Sequence, residues 1–127
     1  MRAVIRAAAI AALLAAVGNV VVFFIGTAMT GPMAVTMPAP MEVSFVQPFV
    51  STLMFGLLGT LIVSAIALRT ANPQRMWVIL TVAGLVVYGI APFSAADVTT
   101  AIWFNVMHVV AGVLLIPAVA KTLPTSR

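Results

Sequence analysis

The residues of this sequence that could do chemistry are few, and they stand inside long apolar stretches. His108 is the one histidine, and the other polar side chains that stand out are Asn19, Ser51, Tyr88 and Asn105. An imidazole can accept a proton, carry one or bind a metal, while amides and hydroxyls can hold it, or a ligand, by hydrogen bonds. One histidine and no cysteine exclude bis-histidine haem, three-histidine zinc and thiolate chemistry within the chain.

The carboxylates that acid–base chemistry would need stand apart from His108. Glu42 and Asp97 are the two acidic residues, and both lie in connections between apolar stretches. A catalytic triad requires serine, histidine and carboxylate within hydrogen-bonding reach of one another. We therefore expect no enzymatic activity and no cofactor.

A methionine series occupies the longest connection, residues 27–43. Met29, Met33, Met37 and Met41 recur at every fourth position. Thioethers are soft ligands for Cu(I), so the series is a candidate metal site. The spacing would align the sulfurs only on a helix, which the three prolines of this segment oppose. We favour a flexible, apolar loop that folds over the mouth of the protein with methionine as adaptable filler, and expect no metal.

The elements that position these residues follow from the composition, which is 64% hydrophobic and 6% charged. Four stretches lack Asp, Glu, Lys and Arg: residues 7–26, 45–68, 76–95 and 101–120. Each is long enough to cross a hydrocarbon core of about 30 Å as a helix. The sequence predicts an all-α fold, a polytopic membrane protein forming an antiparallel bundle of four transmembrane helices, with residues 1–127 as a single domain.

The basic residues predict the orientation. They precede the first span, bracket the connection between the second and third, and follow the fourth: Arg2, Arg6, Arg69, Arg75, Lys121 and Arg127. Because basic loops stay inside, both termini are predicted to be cytoplasmic in a multi-pass protein of the plasma membrane. Residues 7–26 are longer than the apolar region of an export signal, which favours an uncleaved helix. The basic residues are scattered singly, so they form no continuous positive stripe that could bind nucleic acid.

Residues with capping preferences mark the ends of the predicted helices. Asn72 and Pro73 suit the N-cap and first position of the third helix. Ser44 and Gln47 have the spacing of a capping box at the start of the second, and Thr100 is a candidate cap for the fourth. The two tryptophans, Trp77 and Trp103, fall in the first turns of their spans, where indoles favour the membrane interface.

Small residues repeat at every fourth position on two of the predicted helices. The second span carries Thr52, Gly56, Thr60 and Ser64, and the first carries Ala8, Ala12 and Ala16. Such rows allow close helix contact in a membrane. They fit either self-association of the chain or packing within its own bundle, and we favour the second.

The five polar residues are predicted to form one layer. They are Asn19, Ser51, Tyr88, Asn105 and His108. Counting about 1.5 Å per residue from the outer end of each helix places four of them about 9 to 11 Å below the external surface, and Asn105 lies one turn above His108. The inner half of the spans offers only hydroxyls that can bond back to their own helix, those of Thr60, Ser64 and Thr81.

Two interpretations of this layer remain open. In the first, it is a structural network in which Asn105 or His108 donates to the carbonyl of Tyr88, freed because Pro92 lacks an N–H. In the second, it lines a cavity open to the outside, with His108 as acceptor, proton carrier or ligand. We favour the structural network.

Three short motifs resemble those of a family of small actinobacterial four-helix membrane proteins of unknown function. They are Ala15-Ala16-Val17-Gly18-Asn19, Gly89-Ile90-Ala91-Pro92-Phe93 and Met107-His108-Val109-Val110-Ala111-Gly112. The resemblance covers essentially the whole chain. It implies fold and location, and carries no activity with it.

These observations predict a non-enzymatic accessory or interaction protein of the membrane. Its partners would be the lipid bilayer, a larger membrane complex or a second copy, and its outward-facing polar site would bind a lipid or small apolar ligand. The alternative is an oligomeric transporter or channel for a small solute or soft metal ion. A third interpretation is an enzyme subunit that positions a quinone or lipid near His108.

Overall fold

The computed structural model describes residues 1–90 and 94–126. Within these ranges the chain forms four helices, α1 (Arg2–Thr30), α2 (Val46–Ala67), α3 (Pro73–Ile90) and α4 (Val98–Ala120), and two short strands, β1 (Ala34–Val35) and β2 (Met41–Glu42). The strands form one small antiparallel hairpin. The predicted all-α fold is therefore confirmed.

Three of the described helices, α1, α2 and α4, are long and apolar enough to cross a membrane, with 29, 22 and 23 residues. Their outward faces carry many exposed large apolar side chains, including Phe55 at 74% and Val98 at 76% exposure. A soluble helical protein would bury most of this surface. The exposure is what a helix in contact with lipid tails requires, and the protein has the features of a membrane protein.

The helix bounds differ from the predicted spans at several ends. Helix α1 extends beyond residues 7–26 because Arg2, Arg6 and its last four residues continue the helix although they lie outside the apolar stretch. Helix α3 begins at Pro73, the first position that the capping residues predict, three residues before the apolar stretch begins. The predicted third span, residues 76–95, runs through residues 91–93, which lie outside the described residues. Arg127, one of the basic residues that predict the orientation, also lies outside them.

Two of the predicted caps are found at or near the expected place. The backbone N–H of Arg75 donates to Oδ1 of Asn72 at 3.1 Å, which confirms Asn72 as the cap of α3. At the start of α2 the N–H of Ser44 donates to Oε1 of Gln47 at 2.8 Å. The N-cap of α2 is nevertheless Phe45, and no side-chain bond comes from it, so only the reverse half of the capping box is formed.

The predicted cap of α4 is wrong. Helix α4 begins at Val98, and Asp97 is its N-cap. Oδ1 of Asp97 accepts from the N–H of Thr100 at 2.7 Å, and Oδ2 accepts from the Thr100 hydroxyl at 3.1 Å. A carboxylate is favoured here because it meets both the free N–H groups and the positive end of the helix dipole.

Helix α1 packs closely on α2 and α4. The alanine row of α1 is fully buried, and a Cβ at Gly56 of α2 would lie 3.1 Å from the Cβ of Ala12. On the other side, a Cβ at Gly18 would lie 3.3 Å from Val110 of α4. The row of small residues on α2 therefore meets α1 within the chain at Gly56, and its members Thr60 and Ser64 are buried as well.

One end of the protein gathers the first turns of α1 and α3 with the last turns of α2 and α4. The apolar cluster there contains Val4, Ala8, Ala67, Trp77, Val119, Ala120 and Leu123. Trp77 is 2% exposed, and its indole Nε1–H donates to the carbonyl of Ile116 at 3.1 Å. The indole N–H of Trp77 thus finds its partner inside the helix bundle, and its position at the membrane interface stays a prediction.

The other end is covered by the connection from α1 to α2. Backbone N–H groups of Thr36 and Ala96 donate to the carbonyls of Ser94 and Ala34, each at 2.9 Å, so the β1–β2 hairpin is fixed to the segment before α4. The N–H of Ala34 also donates to the Thr100 hydroxyl at 3.3 Å. The predicted loop does fold over this end, but as an ordered hairpin rather than as a flexible segment.

Candidate functional site

An internal cavity of about 520 Å³ lies between α2, α3 and α4, with Asn19 reaching it from α1. Residues of the hairpin segment, including Val35 and Val43, line its outer end, and Trp77 lines its inner end. Its walls are largely apolar, with Phe104 and Leu115 of α4 among them. The volume falls within the roughly 300–1,000 Å³ of pockets that bind small molecules.

The structure separates the five predicted layer residues into two groups. Asn19, Ser51 and His108 line the cavity. Tyr88 and Asn105 do not line it, and they pack together with His108 where α3 meets α4. Of the five side chains predicted to form one layer, three therefore line the cavity.

Asn19 is the most deeply buried polar side chain of the cavity wall, at 2% exposure. Its Nδ2 donates to the hydroxyl of Thr52 at 2.9 Å, which joins α1 to α2. Its Oδ1 is buried and has no hydrogen-bond partner among the described residues. A buried amide oxygen without a donor is costly, so Oδ1 is an acceptor that still needs a donor.

His108 is held in a defined orientation by two contacts. Its Nδ1 lies 2.6 Å from the carbonyl oxygen of Phe104, one turn earlier in α4. Because a carbonyl can only accept, Nδ1 carries the proton, and in the neutral ring Nε2 is an acceptor. The ring stacks on Tyr88 with centroids 4.2 Å apart and an interplanar angle of 27°. The imidazole is thus a rigid part of the cavity wall.

Asn105 has a structural partner on α3. Its Nδ2 donates to the carbonyls of Gly89 at 3.2 Å and of Ala101 at 3.1 Å. A Cβ at Gly89 would lie 2.8 Å from Oδ1 of Asn105, so glycine is what allows this close approach. The predicted bond from Asn105 or His108 to the carbonyl of Tyr88 is not made within the described part of the chain, and the role predicted for Pro92 lies outside the described residues.

Three hydroxyls of the inner half behave differently from the prediction. Ser64 Oγ and Thr81 Oγ1 are buried without a hydrogen-bond partner in the described structure, so the expected bonds back to their own helices are absent. Thr60 and Thr81 line the cavity. Thr52, the partner of Asn19, is not among the site residues predicted from the sequence. The feature of the sequence that could have indicated it is its place in the row of small residues on α2, one turn from Gly56.

The cavity opens sideways between α2 and α3. A Cβ at Gly59 or at Gly84 would meet no atom within 4 Å, although both residues line the cavity. Phe55, on the same stretch of α2, also lines it while remaining largely exposed. The two glycines therefore leave a groove between α2 and α3 that faces the surroundings of the helices.

The four methionines of the connection are dispersed. Met33 is 1% exposed and packs in an apolar cluster with Phe23 and Met107. Met37 and Met41 line the outer end of the cavity, and Met29 is 70% exposed at the end of α1. Met37 and Met41 thus form part of the cavity wall, where their thioether side chains are apolar and adaptable.

The charged residues stand away from the cavity. None of its lining residues is Arg, Lys, Asp or Glu. The described part of the chain also contains no group of three or more His, Asp or Glu side chains that could hold a metal ion. What the arrangement offers chemically is an apolar wall with a few neutral hydrogen-bonding groups.

These features define an all-α protein whose long apolar helices enclose a largely apolar cavity with neutral polar groups. Residues 1–125 match a protein family described as a family of unknown function (DUF6069), and the chain belongs to this family. Neither the curated proteins nor the solved structures contain a match. The resemblance to a family of unknown function over the whole chain is confirmed.

Proposed function

We propose that this chain is a non-enzymatic membrane protein that binds a lipid or small apolar ligand in the cavity between α2, α3 and α4. It crosses the plasma membrane four times as an antiparallel bundle, with both termini in the cytoplasm, and acts as an accessory or interaction protein. The observation that carries the proposal is the pairing of a 520 Å³ apolar cavity with the unpartnered Oδ1 of Asn19.

The helix arrangement supports the topology. The apolar cluster around Trp77 brings together the ends of the four helices that carry or adjoin Arg2, Arg6, Arg69 and Lys121. The opposite end holds the hairpin, Glu42 and Asp97. This distribution of basic residues favours the end with the two termini as the cytoplasmic one.

The shape of the cavity favours binding over transport. A transporter needs a second opening at the cytoplasmic end. There Trp77 is buried in the apolar cluster and bonded to the carbonyl of Ile116. The sideways groove at Gly59 and Gly84 instead gives an apolar ligand a route from the hydrocarbon core of the bilayer.

The experiment is photolabelling with a diazirine-bearing 16-carbon alcohol, with the protein in lipid nanodiscs and the labelled peptides mapped by mass spectrometry. We expect labelling of the α2 and α3 cavity walls that unlabelled hexadecanol saturates. In Gly84→Leu a side chain enters the open space beside Gly84. This variant should lose labelling roughly tenfold, as about 1.4 kcal/mol of lost contact would give.

Ala83→Leu is the matched control. Ala83 is the neighbouring exposed residue of α3 and does not line the cavity. It should label like the unmodified protein. Labelling that does not saturate, or that is the same in both variants, would contradict the proposal.

A further inference from the structure

We infer that the ligand is an uncharged amphiphile whose hydroxyl group donates a hydrogen bond to Oδ1 of Asn19, while its apolar chain lies in the groove between α2 and α3. This inference rests on the proposed function and adds the chemical class of the ligand. Its three supports are the amide of Asn19, the absence of charge in the cavity wall and the length of the groove.

The amide of Asn19 specifies a donor. Its Nδ2 is engaged by Thr52, so the amide is fixed, and Oδ1 is left as a buried acceptor on a residue of the cavity wall. The N–H groups in the interior of α1 are used by the helix itself and cannot serve it. Thr81, the other orphaned group of the wall, carries a hydroxyl, which can donate as well as accept and so does not specify a donor in the ligand.

The wall also specifies a neutral headgroup. With no Arg or Lys among the lining residues, a phosphate or carboxylate would enter without a counter-charge, and with no Asp or Glu so would an ammonium group. An unpaired charge in an apolar environment is far more costly than an unpaired hydroxyl. A hydroxyl, which is neutral and can donate, matches Oδ1 of Asn19.

The groove accommodates a long chain. Lining residues run along α2 from Thr52, the partner of Asn19, to Val63, a distance of about 16 Å at the rise of a helix. Gly59 and Gly84 leave space beside this path, and Trp77 ends it. The chain of the ligand would therefore extend from the level of Asn19 towards Trp77 and contact lipid along the open side.

The test compares three competitors against the photoactivatable alcohol in nanodiscs: hexadecanol, hexadecyl methyl ether and palmitate at pH 8. The ether keeps the chain and the oxygen but has no donor, and palmitate adds a charge. We expect hexadecanol to compete about tenfold better than either, the factor that an unsatisfied buried acceptor produces. Asn19→Leu should abolish the preference over the ether, while Thr81→Val should retain it.

The outcomes separate the two proposals. If the photolabel does not saturate with any competitor, the proposed function fails. If alcohol and ether compete equally in the unmodified protein, ligand binding stands and the inference of a hydroxyl donor is overturned. A preference that persists in Asn19→Leu also overturns it, and because the readout is a ratio between two competitors, partial loss of folded protein does not affect it.

Discussion

Asn19 of α1 and Thr52 of α2 are joined by a hydrogen bond of 2.9 Å from Nδ2 to the hydroxyl oxygen. The bond lies at the wall of the cavity, one turn of α2 from the point where Gly56 touches Ala12. It therefore fixes the amide that carries the unpartnered oxygen and also joins α1 to α2, which pack closely on each other at Gly56.

The first prediction concerns this bond. In a double-mutant cycle with Asn19→Ala and Thr52→Val, we expect a coupling free energy of about 0.6 kcal/mol and below about 1.7, the range measured for hydrogen bonds between membrane helices. The measurement is reversible unfolding in mixed micelles with a denaturing detergent. Strictly additive effects would show that the bond contributes nothing to stability.

The second prediction compares two glycines of α2. Gly56→Val should destabilise the protein by about 1 to 3 kcal/mol, because the added carbons would press on Ala12 and Leu115. Gly59→Val, the same change three residues along, meets open space and should alter stability by less than about 0.5 kcal/mol. The same unfolding measurement serves both, and equal losses would contradict the described packing of α1 on α2.

The third prediction distinguishes the two tryptophans. Trp77→Phe removes a buried donor to the carbonyl of Ile116 and leaves a void, so it should cost about 1 to 3 kcal/mol. Trp103→Phe removes only an exposed bond to the Thr30 hydroxyl and should cost less. In Trp103→Phe, the remaining fluorescence should be blue-shifted and poorly quenched by iodide; emission typical of water-exposed indole would contradict the burial of Trp77.

The fourth prediction concerns the start of α4. Asp97→Ala should lower stability by about 0.5 to 2 kcal/mol because the N–H and hydroxyl of Thr100 lose their acceptor. Asp97→Asn should retain most of the stability, since asparagine caps nearly as well. Glu42→Ala removes an exposed acid of β2 and serves as the control, with little effect expected. Loss of equal size in Asp97→Asn and Asp97→Ala would argue against a capping role.

The fifth prediction tests orientation with single cysteines, which is straightforward because the chain contains none. Pro40→Cys, in the exposed hairpin turn, should react with a membrane-impermeant maleimide in intact cells. Thr125→Cys, also exposed, should react only after the membrane is made permeable. The reverse pattern would place the termini outside and overturn the proposed topology.

The long helices were predictable because membrane-length apolar stretches are interrupted by charges, and a charge within the hydrocarbon core is costly. The exact ends of α4 and α1 were not predictable in this way. Asp97 was assigned to a connection, since the sequence alone did not separate a loop carboxylate from a cap, and Arg2 and Arg6 lie on α1 although they end the apolar stretch.

The polar residues show what cannot be predicted by counting residues along a helix. Counting residues along a helix gives a height in the membrane, but it does not give the rotation of the helix about its axis. Tyr88 has the predicted height of His108, and Asn105 lies one turn above it, yet both lie outside the cavity lining. The bond from Asn19 to Thr52 depends on how α1 and α2 cross, and the bond from Trp77 to Ile116 joins residues 39 positions apart.

The hairpin that closes the outer end is attached through main-chain atoms, namely Thr36 to Ser94 and Ala96 to Ala34, and its own two arms are joined by the bond from Val43 to Met33. Main-chain bonds of this kind are indifferent to most side-chain replacements, with proline as the exception. Substitutions at Met37 or Met41 would therefore reshape the rim while the cover stays in place. Members of the family could therefore differ in the ligands that enter the cavity while the same main-chain bonds hold the hairpin over its outer end.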